Sequence, residues 1–267
     1  MGAADVRPAA DPVIALRGIQ RILERNYTAS RRQWYVFASG FAEPLLYLLS
    51  IGIGVGKLVG KVPVGGTLVD YRDYVAPGML AAAAMNGAVF DTTFNFFIKL
   101  KYQGVYDAML ATPLSPLDVA GGEVSWALLR GAIYAAAFLL TMLLFGLVHS
   151  WWALLAVPAA VLIGFAFAGA GAAGTSFMRS WTDFDLVNAA ILPMFLFSGT
   201  FFPLSRYPGW LALAVRATPL YQGVAIERAL VLGAVNLSTL GHAAYLVAVG
   251  IAGVRIASRR LTLLLTA

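Results

Sequence analysis

The sequence contains no cysteine, only two histidines and few charged residues. The absence of cysteine excludes disulfides, thiolate nucleophiles and cysteine-ligated zinc or iron–sulfur sites. His149 and His242 lie far apart without a nearby carboxylate, so no metal site is predicted. Charged residues make up 12% of the 267 residues and hydrophobic residues 60%, whereas a soluble domain carries about 25% charged residues. This composition indicates a membrane protein.

Six apolar segments are long enough, at roughly 20 residues, to cross the hydrocarbon core as helices. Lipid offers no hydrogen-bond partner to backbone amides, and the alternating pattern of a membrane barrel is absent, so helices are expected. We therefore predict an all-α polytopic membrane protein with one six-helix domain over residues 34–260, preceded by a segment 1–33 and followed by a tail 261–267. The predicted spans are 34–55, 74–98, 124–148, 151–177, 186–202 and 239–257.

The basic residues are distributed unevenly between the loops. With the N-terminus inside, twelve arginines and lysines fall on the cytoplasmic side and six on the outer side, with Arg130 inside the third helix. Cytoplasmic loops are enriched in Lys and Arg, so both termini are predicted to be cytoplasmic. The net charge of +6 follows this loop pattern, and no nucleic-acid partner is predicted.

Two segments outside the spans have a helical pattern of their own. Residues 13–27 place apolar side chains on one side and arginines on the other, which predicts an interfacial helix on the inner membrane surface. An ordinary amphipathic helix packed on a partner is the alternative. Residues 203–238 are too apolar for a solvated loop and too often interrupted for a span, which favours short helices dipping into the outer face.

Ionisable residues inside the apolar runs are candidates for function, because an unpaired charge in lipid is costly. Glu43 lies within the first helix and is followed by Pro44, and Asp91 lies deep in the second. Glu123 begins the third helix, and Arg130 follows on nearly the same face. Each residue could line a polar cavity or proton path, or could tie helices together. For Glu123 and Arg130 we favour a structural or coupling role.

No enzyme constellation is present, and no catalytic residue is predicted. The run Gly52-Ile-Gly-Val-Gly56-Lys57 superficially suggests a phosphate loop. The phosphate-loop pattern needs a glycine at 51 and a serine or threonine at 58, where this sequence has Ile51 and Leu58. We therefore expect that the chain does not hydrolyse ATP by itself.

Several blocks of the sequence resemble one family. The blocks are Glu43-Pro-Leu-Leu-Tyr-Leu-Leu-Ser-Ile-Gly-Ile-Gly-Val-Gly56, Tyr74-Val-Ala-Pro-Gly-Met79, Tyr106-Asp-Ala-Met-Leu-Ala-Thr-Pro-Leu-Ser115, Gly122-Glu-Val-Ser-Trp-Ala127, Arg130-Gly131 and Ser198-Gly-Thr-Phe-Phe-Pro-Leu204. They resemble type-2 ATP-binding-cassette exporter permeases, in the branch of nodulation-factor (lipooligosaccharide) and daunorubicin-resistance exporters. Asp91 departs from the glutamate expected in that branch, and its shorter side chain has less reach.

The resemblance implies the permease subunit of an exporter in the bacterial plasma membrane. Its cargo would be amphipathic: a glycolipid, a lipid-linked saccharide or a hydrophobic drug. The implied partners are two copies of a cytoplasmic ATPase that binds ATP and Mg, a second permease chain, identical or paralogous, and membrane lipids. The chain itself would hold no cofactor.

The resemblance also implies two functional regions. A cytoplasmic coupling helix would contact the ATPase through an apolar surface, with candidate residues Gln103, Tyr106, Asp107, Met109, Leu110, Thr112, Pro113 and Leu114. Outer re-entrant helices would close the path, with candidate gate residues Gly199, Phe201, Phe202, Pro203 and Pro219. The alternatives are a secondary transporter with Glu43 and Asp91 as proton carriers, a membrane-embedded enzyme, or a structural membrane subunit.

Overall fold

The computed structural model describes residues 12–30, 46, 48–64, 66–112, 114 and 116–265. Most of these residues are helical, as predicted. The helices are α1 (Pro12–Ser30), α2 (Gly56–Val59), α3 (Tyr71–Phe90), α4 (Phe96–Lys101), α5 (Val105–Leu110), α6 (Pro116–Leu144), α7 (Ala156–Thr175), α8 (Asp183–Leu196), α9 (Gly209–Arg216), α10 (Pro219–Leu232) and α11 (Leu237–Leu265). Ser50–Val55 and Asp91–Asn95 are π-helical, and Trp151–Leu155 and Leu204–Arg206 form 3-10 turns.

Three helical stretches within the described residues are long and apolar enough to cross a membrane, namely Asp118–Leu144, Trp151–Thr175 and Leu237–Arg260. They correspond to the predicted third, fourth and sixth spans. The predicted second span lies in a continuous helical stretch made by α3, the π-helical segment and α4. The predicted fifth contains α8, which has only 14 residues, and most of the first lies outside the described residues. The total of six spans therefore stays a prediction.

The core of the molecule is built around α7, which packs against α3, α6, α10 and α11. The sequence of α7 is rich in alanine and glycine, so neighbouring backbones come close. A Cβ atom added at Gly169 would lie 2.6 Å from the carbonyl oxygen of Gly250, so α7 and α11 touch backbone to backbone. Small residues at such contacts let membrane helices associate through close van der Waals packing.

A β-hairpin joins α2 to α3, where the sequence predicts only a loop. β1 (Lys61–Val64) pairs antiparallel with β2 (Thr67–Asp70), with Val62 opposite Val69. Gly66 takes a φ of +88°, which a glycine adopts without steric cost. The description as an all-α protein is wrong in this detail, because β-branched residues on both sides of a Gly–Gly turn favour a hairpin.

The N-terminal helix α1 packs against α6. Gly18, Ile22 and Asn26 are buried one turn apart, whereas Arg21 and Arg25 are exposed. A Cβ atom at Gly122 of α6 would lie 2.7 Å from the Ile22 side chain, which shows how closely the two helices approach. The amphipathic pattern is thus satisfied at least partly by this chain's own α6. Contact of the exposed face with the membrane surface stays a prediction.

The segment after α8 contains the short helices that the sequence predicts. α10 begins at Pro219, where the Thr218 hydroxyl accepts a hydrogen bond from the Tyr221 amide, and it ends before Gly233 in a left-handed conformation. One face of α10 is buried against α3, α7 and α11. A Cβ atom at Gly223 would lie 2.8 Å from the Ile163 side chain, so this face is closely packed.

Candidate functional site

The segment in which a coupling helix is predicted contains the helix α5, but two of its apolar side chains point inward. Tyr106 is 1% exposed and Met109 8%, and both belong to a buried cluster with Ile22, Phe96 and Val119. The expectation that Tyr106 and Met109 form an apolar surface is therefore wrong. The cluster arises because α1 covers this side of α5.

The other candidate residues of this segment are distributed around the cluster. Gln103 and Thr112 are exposed, and Leu114 is partly buried against the cluster. The side chains of Asp107 and Leu110, and the whole of Pro113, lie outside the described residues. Among the described positions of this segment, the exposed residues are small or polar.

Buried polar groups lie beside the α5 cluster. The Tyr106 hydroxyl, Oε1 of Glu123 and Nδ2 of Asn26 are buried without a hydrogen-bond partner in the described part of the chain. Burial, and secondarily the Glu123 charge, raise the pKa of Tyr106 well above its ordinary value. The Tyr106 ring also contacts Phe96, with ring centroids 5.1 Å apart. Tyr106 therefore links α5 to α4 and to the start of α6.

Two ion pairs connect the helical stretch 91–101 to α6. Nζ of Lys99 lies 2.5 Å from Oε2 of Glu123. Arg130 donates a hydrogen bond to Oδ1 of Asp91, which also accepts one from Asn95 at 2.8 Å. The stretch 91–101 and α6 run antiparallel, because Asp91 contacts Arg130 and Lys99 contacts Glu123.

These contacts bring together Asp91, Glu123 and Arg130 from the predicted polar residues and add Lys99. Despite its shorter side chain, Asp91 reaches Arg130. The sequence places Lys99 only in the loop after the predicted second span, because it does not show which helices lie side by side. Glu43 and Pro44 lie outside the described residues.

A second inner contact joins the turn 178–185 to the same helical stretch. Trp181 and Phe184 contact Phe94 and Phe97, with ring centroids between 5.2 and 5.6 Å apart. Oδ2 of Asp183 accepts hydrogen bonds from the backbone amides of Arg179 at 2.6 Å and Ser180 at 3.1 Å. These hydrogen bonds lower the pKa of Asp183. The hydrogen bonds shape the turn, and the aromatic contacts hold it against the helical stretch that leads into α5.

Near the start of α3, one predicted gate residue, Gly199, takes part in a polar junction. The Tyr74 hydroxyl donates to the carbonyl oxygen of Gly199 at 2.8 Å, and Arg228 donates to the same oxygen at 2.9 Å. The Arg228 guanidinium lies 3.8 Å from the centre of the Tyr74 ring. Gly199 has a φ of +77°, which aims its carbonyl group at this junction at low steric cost.

The remaining gate candidates take different positions. Phe201 is buried and contacts Phe195, whereas Phe202 is exposed. Pro203 is partly buried, and Pro219 is the first residue of α10. Sequence reasoning missed Tyr74 and Arg228 as junction residues. The charged pair Glu227–Arg228 inside the otherwise apolar run 223–232 was the available signal.

The spans, the buried ion pairs and the helical outer segment define a polytopic helical membrane protein, and comparison with known proteins assigns its family. The family model for ABC-2 type transporters matches residues 17–232, and the chain belongs to this family. It is therefore a membrane component, of the permease type, of an ATP-binding-cassette transporter.

Curated relatives agree with this assignment. The chain is 33% identical over 232 residues to "Nodulation protein J" of Rhizobium leguminosarum bv. trifolii, which covers 84% of this chain and 87% of that protein. It is 31% identical to the protein of that name from Rhizobium leguminosarum bv. viciae, over 79% and 81% of the two chains. The Rhizobium meliloti (strain 1021) protein is 29% identical, over 79% and 80%. The resemblance to the nodulation branch is thus confirmed.

Proposed function

We propose that this permease exports an amphipathic molecule, such as a glycolipid, a lipid-linked saccharide or a hydrophobic drug, and that a separate cytoplasmic ATPase supplies the energy. In this proposal two ATPase copies bind ATP and Mg and contact α5 of each permease chain. Support comes from the position of α5 and from the similarity to proteins named for nodulation.

The main structural support is the packing of α5. A plain connecting loop has no need of a buried tyrosine, whereas Tyr106 is enclosed by residues of α1, α4 and α6. A force applied to α5 therefore reaches the start of α6 through Val119 and Ala120, and the stretch 91–101 through Phe96. The two ion pairs and the aromatic contacts of the turn 178–185 extend this connection to the predicted second, third and fifth spans.

The alternative of a proton-coupled secondary transporter receives less support. A proton carrier has to bind and release its proton during the cycle, so its carboxyl group has to be free of fixed partners. Asp91 accepts hydrogen bonds from both Arg130 and Asn95, which favours a structural role. Glu43, the other proposed carrier, lies outside the described residues.

The ATPase contact is testable at the exposed surface of α5. Ala108 is exposed between the buried positions 106 and 109, so Ala108→Arg adds bulk and charge there without disturbing the cluster. We expect this variant to insert normally but to lose most co-purifying ATPase and substrate-stimulated ATP hydrolysis. Gln20→Arg, on the exposed face of α1, is the matched control and is expected to retain both.

Two further results bear on the proposal. Replacing the catalytic glutamate of the co-purified ATPase is expected to stop transport in reconstituted vesicles. The proposal is wrong if Ala108→Arg keeps wild-type docking and turnover, or if the purified chain alone drives uphill transport on a proton gradient.

A further inference from the structure

A cavity of about 230 Å³ lies between the hairpin, α10 and the start of α11. A water molecule in the liquid takes up about 30 Å³, so the cavity can hold a group several times larger than water. Small and apolar side chains form much of the wall. The polar lining consists of Arg228, Asn236, Ser238, Thr239 and His242.

Arg228 brings a positive charge to this cavity that no acid compensates within the described part of the chain. Its Nε and Nη2 atoms donate to the carbonyl oxygens of Tyr74 and Gly199, which are neutral acceptors. Its Nη1 atom makes no hydrogen bond to the described residues. None of the ion pairs among these residues includes Arg228. The neighbouring Glu227 does not line the cavity.

The carbonyl contacts and the Tyr74 ring fix the guanidinium in place. A guanidinium held in this way is preorganised, and its Nη1 donors, which the described residues leave unused, can bind an oxygen of a phosphate or carboxylate. Preorganisation reduces the entropy lost on binding. The lining therefore already contains the main element of an anion site.

The beginning of α11 adds to the positive potential. Asn236, Ser238 and Thr239 lie at its first turn, and the helix has 29 residues. The first amides of a helix have no intrahelical partner and favour a nearby anion. His242 lies one turn further along α11 and is hydrogen-bonded to Gln222. No acidic side chain occurs among the described lining residues.

We infer that this cavity binds the anionic headgroup, a phosphate or a carboxylate, of an amphipathic lipid. The arginine and the start of α11 contact the anion, and the apolar wall accommodates the adjoining carbon atoms. The inference goes beyond the proposed transport function, because it concerns equilibrium binding and needs neither the ATPase nor a transport cycle.

Binding is measured on the purified chain in phosphatidylcholine nanodiscs, with phosphatidic acid as the probe and native mass spectrometry as the readout. We expect wild-type protein to retain phosphatidic acid over phosphatidylcholine. Arg228→Gln is expected to weaken this retention about tenfold or more, the size of one charge-assisted hydrogen bond. Arg216→Gln is the control, because Arg216 is exposed and lies outside the cavity.

A second variant tests the site without removing Arg228 from its structural contacts. Ser238→Asp puts a carboxylate into the cavity at the start of α11, where a negative charge also stabilises the helix. We expect a similar loss of phosphatidic acid with unchanged thermal stability. Ser238→Asn is the uncharged control and is expected to bind normally.

The inference is overturned if wild-type protein does not discriminate phosphatidic acid from phosphatidylcholine, or if Ser238→Asp binds like Ser238→Asn. Displacement of the lipid by inorganic phosphate would support an anion site but overturn the lipid assignment. Retention of the lipid in excess phosphate would support the full inference. Because no ATPase is present, failure here is distinguishable from failure of the transport proposal.

Discussion

Glu227 is a buried carboxyl group without compensation. Its side chain is fully buried in α10, and neither carboxyl oxygen has a hydrogen-bond partner in the described part of the chain. Burial raises its pKa well above the ordinary value. Burial therefore favours the neutral form of this carboxyl group, because an ionised carboxylate in an apolar environment is costly.

The raised pKa predicts how stability depends on pH. The folded state holds the Glu227 proton more tightly than the unfolded chain, so its stability is complete below the unfolded pKa of about 4.3 and decreases as pH rises towards the folded pKa. Glu227→Gln removes this dependence. We expect its melting temperature in detergent to exceed that of the wild type by an amount that grows as the pH rises above about 4.3.

The control for this prediction is Glu24→Gln, because Glu24 is exposed on α1 and accepts a hydrogen bond from Gln20. Measured over the same pH range, it shows the effect of a Glu-to-Gln change at an exposed site. A Glu227→Gln variant whose melting curve follows the wild type at every pH would contradict the assignment of a neutral buried carboxyl.

The ion pair between Asp91 and Arg130 also makes a testable contribution to stability. Arg130→Met leaves Asn95 as the hydrogen-bond donor to the Asp91 carboxylate among the described residues, and breaking a buried ion pair costs about 3–5 kcal/mol. Changing both residues, to Asn at 91 and Met at 130, removes the uncompensated charge. We therefore expect a large loss of thermal stability in the single variant and recovery of most of it in the double variant.

The double variant also distinguishes two hypotheses for Asp91, a structural role and a role in the transport path. If Asp91 ties helices together, a stable double variant is expected to retain ATP-driven transport in vesicles. A stable double variant that has lost transport would assign Asp91 to the transport path instead. Equal melting temperatures for the wild type and the single variant would show that the pair contributes nothing to stability.

Among the secondary-structure elements, the sequence predicts where the helices lie better than it predicts which helices contact one another. The apolar runs locate α6, α7 and α11, and the turn residues around α10 locate its ends, because these signals are local. The hairpin was missed although its signal is local too: β-branched residues flank Gly65 and Gly66.

The orientation of α5 and the pairing of Lys99 with Glu123 could not be read from the sequence. Both depend on which elements meet in space. From the sequence alone, Tyr106 could be an exposed aromatic residue. In the structure it is buried in a cluster that includes Ile22 of α1. α1 can approach α6 closely because position 122 is a glycine. The pattern of apolar residues along one helix does not identify the helix that packs against it.

α8 is an element whose packing is incomplete within the described part of the chain. None of its residues is fully buried, and Leu186 and Leu192 are 73% and 59% exposed. A second permease chain in contact with α8 would cover these residues. The natural chain has no cysteine, so single introduced cysteines report on this contact without interference.

We predict that Leu192→Cys forms a disulfide-linked dimer in membranes under mild oxidation. Leu143→Cys, on the exposed face of α6, is the matched control and is expected to stay monomeric, because lipid covers that face. Equal cross-linking of both variants would indicate random collision. Cross-linking of Leu143→Cys alone would place the partner chain against α6 instead.

For the whole molecule, the order of elements determines which regions share one side of the membrane. The hairpin and α5 lie at opposite ends of the helical stretch from Tyr71 to Lys101, which has 31 residues. At 1.5 Å per residue this stretch is about 46 Å long, and the hydrocarbon core is about 30 Å thick. A stretch of this length can place its two ends on opposite sides of the bilayer.

The topology predicted from the basic residues can therefore be tested with one cysteine at each end. Leu68 in the hairpin is 67% exposed, and Gln103 precedes α5 and is exposed. In intact cells we expect a membrane-impermeant maleimide to label Leu68→Cys, whereas Gln103→Cys reacts only after the membrane is opened. The reverse pattern would invert the topology and move α5 away from the ATPase. Labelling of both cysteines in intact cells would show that the stretch does not cross the membrane, and the transmission of force from α5 through it would then fail.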